Sequence, residues 1–293
     1  MARVINVLSH KGGCGKSETV LNCAYGLAQK GRRVLVIDCD PQSNVTSILL
    51  SEAPLKEGET SQFLEEYNKR IESKDRLSAA VEALKTYVEL HQTKFDIHHV
   101  LEQKCDASQA IQETRYENID VIPSGTELSM TDYQLKNLAL EPYRALRMAL
   151  AKVQDQYDVI LIDNQPFKNA LTFNTIASCT HEDDLVIIPM KINRGGLEGT
   201  YETIATTMEW LRAEPLPLDF KILATMVNRN KIDQSWIEAL KKAFGERMFD
   251  SCIRYQAKPV EEASMKKKIL LETSKKGVAE DYQNLVNELD ALC

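Results

Sequence analysis

The sequence predicts an α/β fold in which a doubly wound, mostly parallel sheet is flanked by helices. Three observations lead there. Apolar runs of strand length, rich in Val and Ile, recur along the chain, as strands buried on both faces require. Segments with apolar spacing near 3.6 lie between them, which implies right-handed crossovers between parallel strands. A chain of 293 residues, 43% of them hydrophobic, is long enough to cover such a sheet with a sizeable core.

The elements follow in order. Residues 3–8 (RVINVL) form the first strand, and a glycine-rich loop leads from it into a helical pattern over 17–31 (SETVLNCAYGLAQKG). That pattern ends at Gly31, a residue suited to a helix C-terminus. The second strand is 33–38 (RVLVID), and the others are 119–124, 157–163, 184–190 and 220–228. Residues 52–95 break the rhythm, since they contain no strand pattern. There Leu77, Val81, Leu84 and Val88 recur at spacings of 4, 3 and 4, which predicts an amphipathic helix, preceded by a second one carrying Phe63, Tyr67 and Ile71. The expectation is a single domain over 1–293 with a helical insertion at 52–95, either packed on its own domain or offering a surface to a partner or second subunit.

Composition narrows the class. A net charge of −7 and a pI near 5.4 argue against a surface that is basic all over, although a local basic patch remains open. Seven cysteines, an odd number without a Cys-x-x-Cys pair, indicate neither a disulfide framework nor a zinc site and suit a reducing cytoplasm. With no signal-peptide pattern and no apolar run of about 18 residues, a soluble protein is expected. His98 and His99 read as an exposed loop pair, and Trp210 and Trp236 as packing residues.

The chemistry concentrates in SHKGGCGKSETV, residues 9–20. Glycines there let backbone N–H groups approach an anion, Lys16 can reach β and γ phosphates, and the Ser17 hydroxyl stands where magnesium is held at a helix N-terminus. Two acidic segments support this. VIDCDPQSN puts Asp38 and Asp40 at the end of the second strand, and YDVILIDNQP puts Asp163 at the end of another, where a carboxylate can hold magnesium. ATP and Mg2+ are the expected cofactors. A standard Walker loop would have glycine at position 10, whereas this chain has His10 followed by Lys11.

That segment resembles the deviant Walker motif, Lys-Gly-Gly-x-Gly-Lys-[Ser/Thr], of the ParA/MinD family of dimerising ATPases. The resemblance implies that Lys11 reaches across to the partner's nucleotide while Lys16 serves its own. It implies a nucleotide-binding loop of Lys11, Gly12, Gly13, Cys14, Gly15, Lys16, Ser17 and Glu18, with Glu18 where a threonine normally contacts the α phosphate, and magnesium near Ser17, Asp163 and Asp40. It also makes Asp40 the group that positions or activates the attacking water, beside the catalytic Lys11 and Lys16, and Asn228 the adenine contact. ENIDVIPSGTELS, VIIPMKINRGGLEG and ATMVNRN resemble further family segments, and the Asp-Pro-Gln after the second strand favours the partition branch. Three departures stand out. Ser17-Glu18 replaces the usual Thr-Thr, DNQP the usual Asp-x-Pro-Pro, and IRY (253–255) the usual Ile-Pro-Arg. Glu18 is expected to turn outward, favoured by the helix dipole by about 0.3–1 kcal/mol and weakening nucleotide affinity.

The partition branch implies an ATP-bound homodimer that binds DNA without sequence preference in the nucleoid. Release follows when a DNA-bound, ParB-like activator stimulates an otherwise slow hydrolysis. Candidate DNA contacts are Arg229, Lys231, Lys258, Lys266, Lys267 and Lys268, with Lys275 and Lys276 nearby. A solvated helix face is the plainer reading of the same lysines. The first strand begins at Arg3, so a preceding helix-turn-helix and operator binding are not expected. A MinD-like membrane ATPase is the alternative, but residues 277–293 carry Glu280, Asp281, Glu288 and Asp290 and no Lys or Arg, so no membrane contact is expected. An iron–sulfur reductase would need cysteines in a context that Cys105 and Cys179 lack. A ligase on the same fold, or a nucleotide-dependent regulator acting on a protein partner, remains open.

Overall fold

The computed structural model describes residues 1–51, 59–72, 74–91, 95–125, 127–136, 143–215 and 217–292. Its elements are β1 (Arg3–Val7), α1 (Lys16–Ala28), β2 (Val34–Cys39), α2 (Asn44–Leu49), α3 (Glu59–Ile71), α4 (Arg76–His91), α5 (Ile97–Leu101), α6 (Ala107–Ala110), β3 (Gln112–Glu113) and β4 (Ile119–Ile122). There follow α7 (Leu128–Lys136), α8 (Ala145–Leu150), β5 (Val159–Asn164), α9 (Ala170–Ala177), β6 (Leu185–Lys191), α10 (Arg194–Ala213), β7 (Asp219–Thr225), α11 (Lys231–Phe244), α12 (Ala257–Met265), α13 (Leu270–Thr273) and α14 (Val278–Asp290).

Seven strands form one sheet in the order β3-β4-β2-β5-β1-β6-β7, parallel except for the two-residue β3. The predicted α/β architecture and each of the six predicted strands are present. Alternation along the strands divides the core in two. Val34, Val36, Val159 and Leu161 face a cluster with α1 and α14, while Leu35, Ile37, Ile160 and Ile162 face the opposite one with α5, α8 and α9. Both are apolar at the centre, where each fully buried Val, Leu or Ile contributes roughly 1.5–3 kcal/mol. The order reverses direction at β5 and β1, and the loops leaving the carboxyl ends of β1, β2 and β5 converge there, as a doubly wound sheet requires of a ligand crevice.

The chain divides into two units, Met1–Ser51 with Phe95–Cys293, and Glu52–Lys94. In the second unit α3 and α4 pack on each other. Both predicted helices form, but the predicted apolar stripe is not the buried one. Leu77, Val81 and Leu84 are 74%, 58% and 55% exposed, whereas Ala79 and Ala83 are buried. Ala79, Ala83 and Thr86 share one face of α4, and Arg70 of α3 reaches Thr86 Oγ1 at 3.0 Å and the Glu82 carboxylate at 3.6 Å. Small side chains let the helix axes approach, and this decided the packing face against the simple count of large apolar residues. The Val88 side chain lies outside the described residues.

Two further expectations are corrected in the first unit. His98 is 2% exposed on α5, with Nδ1 2.8 Å from Thr131 Oγ1 and 3.3 Å from the Glu102 carboxylate. His99 closes a capping box with Asp96, so the pair is part of a helix rather than an exposed loop. Trp210 packs as expected, stacked 5.0 Å from Phe173. Trp236 does not, and stands 44% exposed on α11.

Candidate functional site

The loop between β1 and α1 is shaped by its glycines. Gly13 and Gly15 have φ of +69° and +88°, a left-handed backbone that side chains resist. A Cβ on Gly12 or Gly13 would meet nothing within 4 Å, so the loop amides border open space. Gly15 caps α1, and the Thr19 hydroxyl donates back to its carbonyl at 2.8 Å. The strained turn thus directs the first N–H groups of a long helix outward, the arrangement that attracts an anion.

The two lysines of the loop lie in different surroundings. Lys16 is 7% exposed, with Nζ 3.5 Å from the Lys11 carbonyl. Lys11 is exposed and makes no ion pair among the described residues. The Cys14 thiol donates to the same Lys11 carbonyl at 3.2 Å, closing the turn.

Strand register brings the carboxylates to this loop. Val7 pairs with Asp163 across β1 and β5, and Asp38 pairs with Asp163 across β2 and β5. Ser17 Oγ donates to Asp163 Oδ2 at 2.6 Å, while the buried Oδ1 has no hydrogen-bond partner. Burial first, and then the charge of Asp38, pushes the Asp163 carboxyl well above its ordinary range, against Ser17 and Lys16. Asp38 is pushed up to about 6 by burial, although it accepts Thr46 N at 2.9 Å, Thr46 Oγ1 at 2.7 Å and Asp40 N at 3.1 Å. Asp40 Oδ1 accepts Gln42 N at 2.9 Å, and the Ser124 hydroxyl anchors the Asp40 carbonyl at 2.7 Å. The three carboxylates are not grouped closely enough to share one ion, but Ser17 Oγ and the orphaned, buried Oδ1 of Asp163 are oxygen donors of the kind a hard divalent cation takes.

The sequence-predicted residues of the loop, Asp38, Asp40 and Asp163 therefore meet at one end of the sheet. Asn228 belongs to the same end, because Thr225 at the close of β7 donates to the Cys14 carbonyl at 2.8 Å. The Asn228 amide is held on Asp233, its Nδ2 at 3.2 Å and its backbone N at 2.8 Å. Glu18 departs from expectation. It does not turn outward; Glu18 Oε1 accepts Asn22 Nδ2 one turn along α1 at 2.7 Å, and burial raises its carboxyl. The neighbouring α14 and the Asn22 amide outweigh the attraction of solvent.

The basic candidates fall in two places. Arg229 and Lys231 are exposed at the start of α11, beyond β7. Lys266, Lys267 and Lys268 follow α12, where Lys267 Nζ lies 3.4 Å from Ser47 Oγ beyond β2. Lys268 is paired with Glu272 at 2.8 Å and Lys258 loosely with Glu262 at 3.9 Å. Residues the sequence reading missed are Thr46, Thr225, and Thr203 and Thr206 of α10, which grip His10.

Comparison with known proteins agrees with this geometry. A family model described as an AAA domain matches residues 2–222. The chain is 30% identical to the sporulation initiation inhibitor protein Soj of Bacillus subtilis over 99% of both chains. It is 27% identical to the chromosome partitioning protein ParA of Caulobacter vibrioides, over 98% of this chain and 93% of that one. A plasmid partition protein from Borrelia burgdorferi, solved bound to AMPPNP, has the same fold with a TM-score of 0.72 at 22% identity, covering 99% of each chain. A glycine-rich loop headed by a second lysine, carboxylates in strand register beside it, and full-length likeness to Soj together place the chain in the AAA-domain family of ParA-type P-loop ATPases.

Proposed function

We propose that this protein is an ATP-driven dimerisation switch for DNA partition. It binds DNA without sequence preference as the ATP dimer and leaves it when a DNA-bound activator of the ParB kind stimulates hydrolysis. The observation that carries the reading is the pair of lysines, Lys16 buried against its own loop and Lys11 exposed at its rim without an ion pair. One lysine is placed for the nucleotide of its own subunit, and the other for one brought from outside.

In this reading Gly13, Gly15 and the first amides of α1 hold the β and γ phosphates, with Lys16 beside them. Ser17 and Asp163 are the residues that would hold Mg2+, and the ion would supply positive charge against the phosphates and against the buried Asp163 carboxylate. Asp40, steadied by Gln42 N–H and Ser124, orients the attacking water, and Lys11 of the partner subunit stabilises charge at the γ phosphate. Asn228 keeps its Oδ1 available to the adenine amino group, since its Nδ2 is on Asp233.

The MinD-like alternative finds no support in α14. Its apolar residues Val278, Tyr282, Leu285, Val286 and Leu289 are buried in the core, so this helix has no apolar face to offer a bilayer. A regulator acting on a protein partner is favoured by one observation, the exposed Leu77, Val81 and Leu84 on α4.

The test is co-sedimentation with non-specific duplex DNA under ATP, ADP and no nucleotide, for wild type and Lys11→Ala. Binding that needs ATP and disappears in the variant is the expected result. Absence of DNA binding in every nucleotide state would end the partition reading and turn attention to α4.

A further inference from the structure

The position where a standard Walker loop has glycine is filled here by a residue that grips another element. His10 N donates to Thr203 Oγ1 at 3.0 Å, and His10 Nε2 lies 3.1 Å from Thr206 Oγ1. Both threonines are on α10 and are buried. Immediately beyond His10, the Lys11 side chain runs along the same helix toward its N-terminus. A Cβ on Gly199 would come within 2.7 Å of Lys11 Cβ and 3.3 Å of Lys11 N, and one on Gly195 within 3.3 Å of Lys11 Cε and Nζ. Positions 195, 199, 203 and 206 follow the helical repeat, so they form one continuous face of α10.

We infer that this face is a seat for the head of the loop, and that His10 is a positioning residue that fixes where the Lys11 ammonium stands. The inference rests on the proposed role of Lys11 toward a partner's nucleotide. Physically, the seat works by shape rather than by charge. Lys11 has no carboxylate partner among the described residues, and an ammonium at a helix N-terminus gains nothing from the helix dipole. The two missing Cβ atoms admit the lysine stem, and the two threonine contacts hold the residue before it. Lys11 is therefore aligned but not tied down, ready to exchange its position for a phosphate.

Lys16 rises from the first turn of α1 and meets the head of the loop only at the Lys11 carbonyl, 3.5 Å from its Nζ, so a shift of the Lys11 side chain leaves that backbone partner in place. Variants of the seat should thus separate two readouts. The experiment measures ADP affinity by calorimetry and AMPPNP-driven dimerisation by light scattering for His10→Ala, His10→Gln, Thr206→Val and Gly195→Ala. Expected for His10→Ala, Thr206→Val and Gly195→Ala is dimerisation weakened about tenfold, with ADP affinity within twofold of wild type, because an ammonium shifted off its phosphate loses part of a charge-assisted hydrogen bond. His10→Gln, whose amide can still meet the Thr206 hydroxyl, should recover dimerisation. Gly195→Ala guards against a folding artefact, since alanine favours the helix and only the flexible end of Lys11 has to give way.

A parallel fall in ADP affinity overturns the inference, because His10 would then support the entire loop. Unchanged dimerisation in all three weakened variants overturns it as well, while leaving the proposed function intact. If wild type itself fails to dimerise with AMPPNP, the reading of Lys11 across a dimer fails first, and the seat loses its purpose with it.

Discussion

Lys16 and Lys11 are near neighbours in sequence, yet one is enclosed and the other open, and this difference makes separable predictions. Lys16→Ala should lose both ADP and ATP binding. Lys11→Ala should keep ADP binding and lose AMPPNP-driven dimerisation, with calorimetry and light scattering as the measurements; loss of ADP binding in Lys11→Ala would show that both lysines serve the same phosphates. Asp40 is held by Gln42 N–H through one oxygen, and its other oxygen makes no protein hydrogen bond among the described residues. Its replacement by Ala should slow turnover by about 10²-fold or more while the ATP dimer still forms, since a positioned carboxylate contributes that much to proton transfer or water orientation. Equal loss of dimer and turnover would make Asp40 a binding group instead. At this scale the glycines, Lys16, Ser17 and Asp163 were legible because their chemistry shows in local context, beside a tight turn or at the end of an apolar run. Thr225 and Thr203 were not, because their partners are 211 and 193 residues away in the chain. The orientation of Glu18 was misjudged because a dipole argument sees only its own helix, whereas Asn22 and α14 determine the outcome.

Helix α1 is held to the body of the protein by a close approach that one glycine permits. A Cβ on Gly26 would lie 2.4, 2.8 and 3.0 Å from side-chain atoms of Val286 on α14. Gly26→Ala is therefore expected to lower unfolding free energy by about 1–3 kcal/mol, as overpacking does, despite the better helix propensity of alanine. Adding Val286→Ala should recover part of that loss, and denaturant titration of both singles and the double gives the coupling. Helix α4 makes the opposite case. Its exposed Leu77 should accept glutamate with a change below about 0.5 kcal/mol, whereas Ala83→Leu at the buried face should cost about 1–3 kcal/mol. Reversed sensitivities would mean that the leucine stripe is the packed one. Strands of this sheet were readable because burial on both faces imposes continuous Val and Ile runs. The two-residue β3 was not, since no periodicity exists at that length, and the packing face of α4 was hidden because hydrophobicity ranks leucine above alanine while helix approach favours the smaller residue.

For the whole molecule, the proposed DNA binding requires an acidic protein to present enough positive charge to a duplex. With a net charge of −7, attraction to DNA under this proposal cannot come from the sum and has to come from a local surface, which the proposed dimer would double. The lysines and arginines suspected from sequence divide into those already paired and those that are not. Lys268 and Lys258 have glutamate partners one helical turn away, so part of their charge is answered within the chain. Arg229, Lys231 and Lys266 are exposed and make no ion pair among the described residues. Counterion release then sets a quantitative expectation. Each phosphate contact contributes roughly 0.9 to the negative slope of log affinity against log salt, and a symmetric dimer contributes each contact twice. Arg229→Gln and Lys266→Gln, which each remove one positive charge per subunit, should each lower that slope by about 1.8 and weaken binding to every duplex alike, whereas Lys268→Gln should leave it nearly unchanged. A slope that responds to Lys266 but not to Arg229 assigns the DNA to the α12 side of the sheet, beside the segment after β2; the reverse assigns it to the loop beyond β7, next to the adenine candidate Asn228. A slope unchanged by either substitution, in a protein that still binds DNA only with ATP, would mean that the DNA surface is built elsewhere on the dimer.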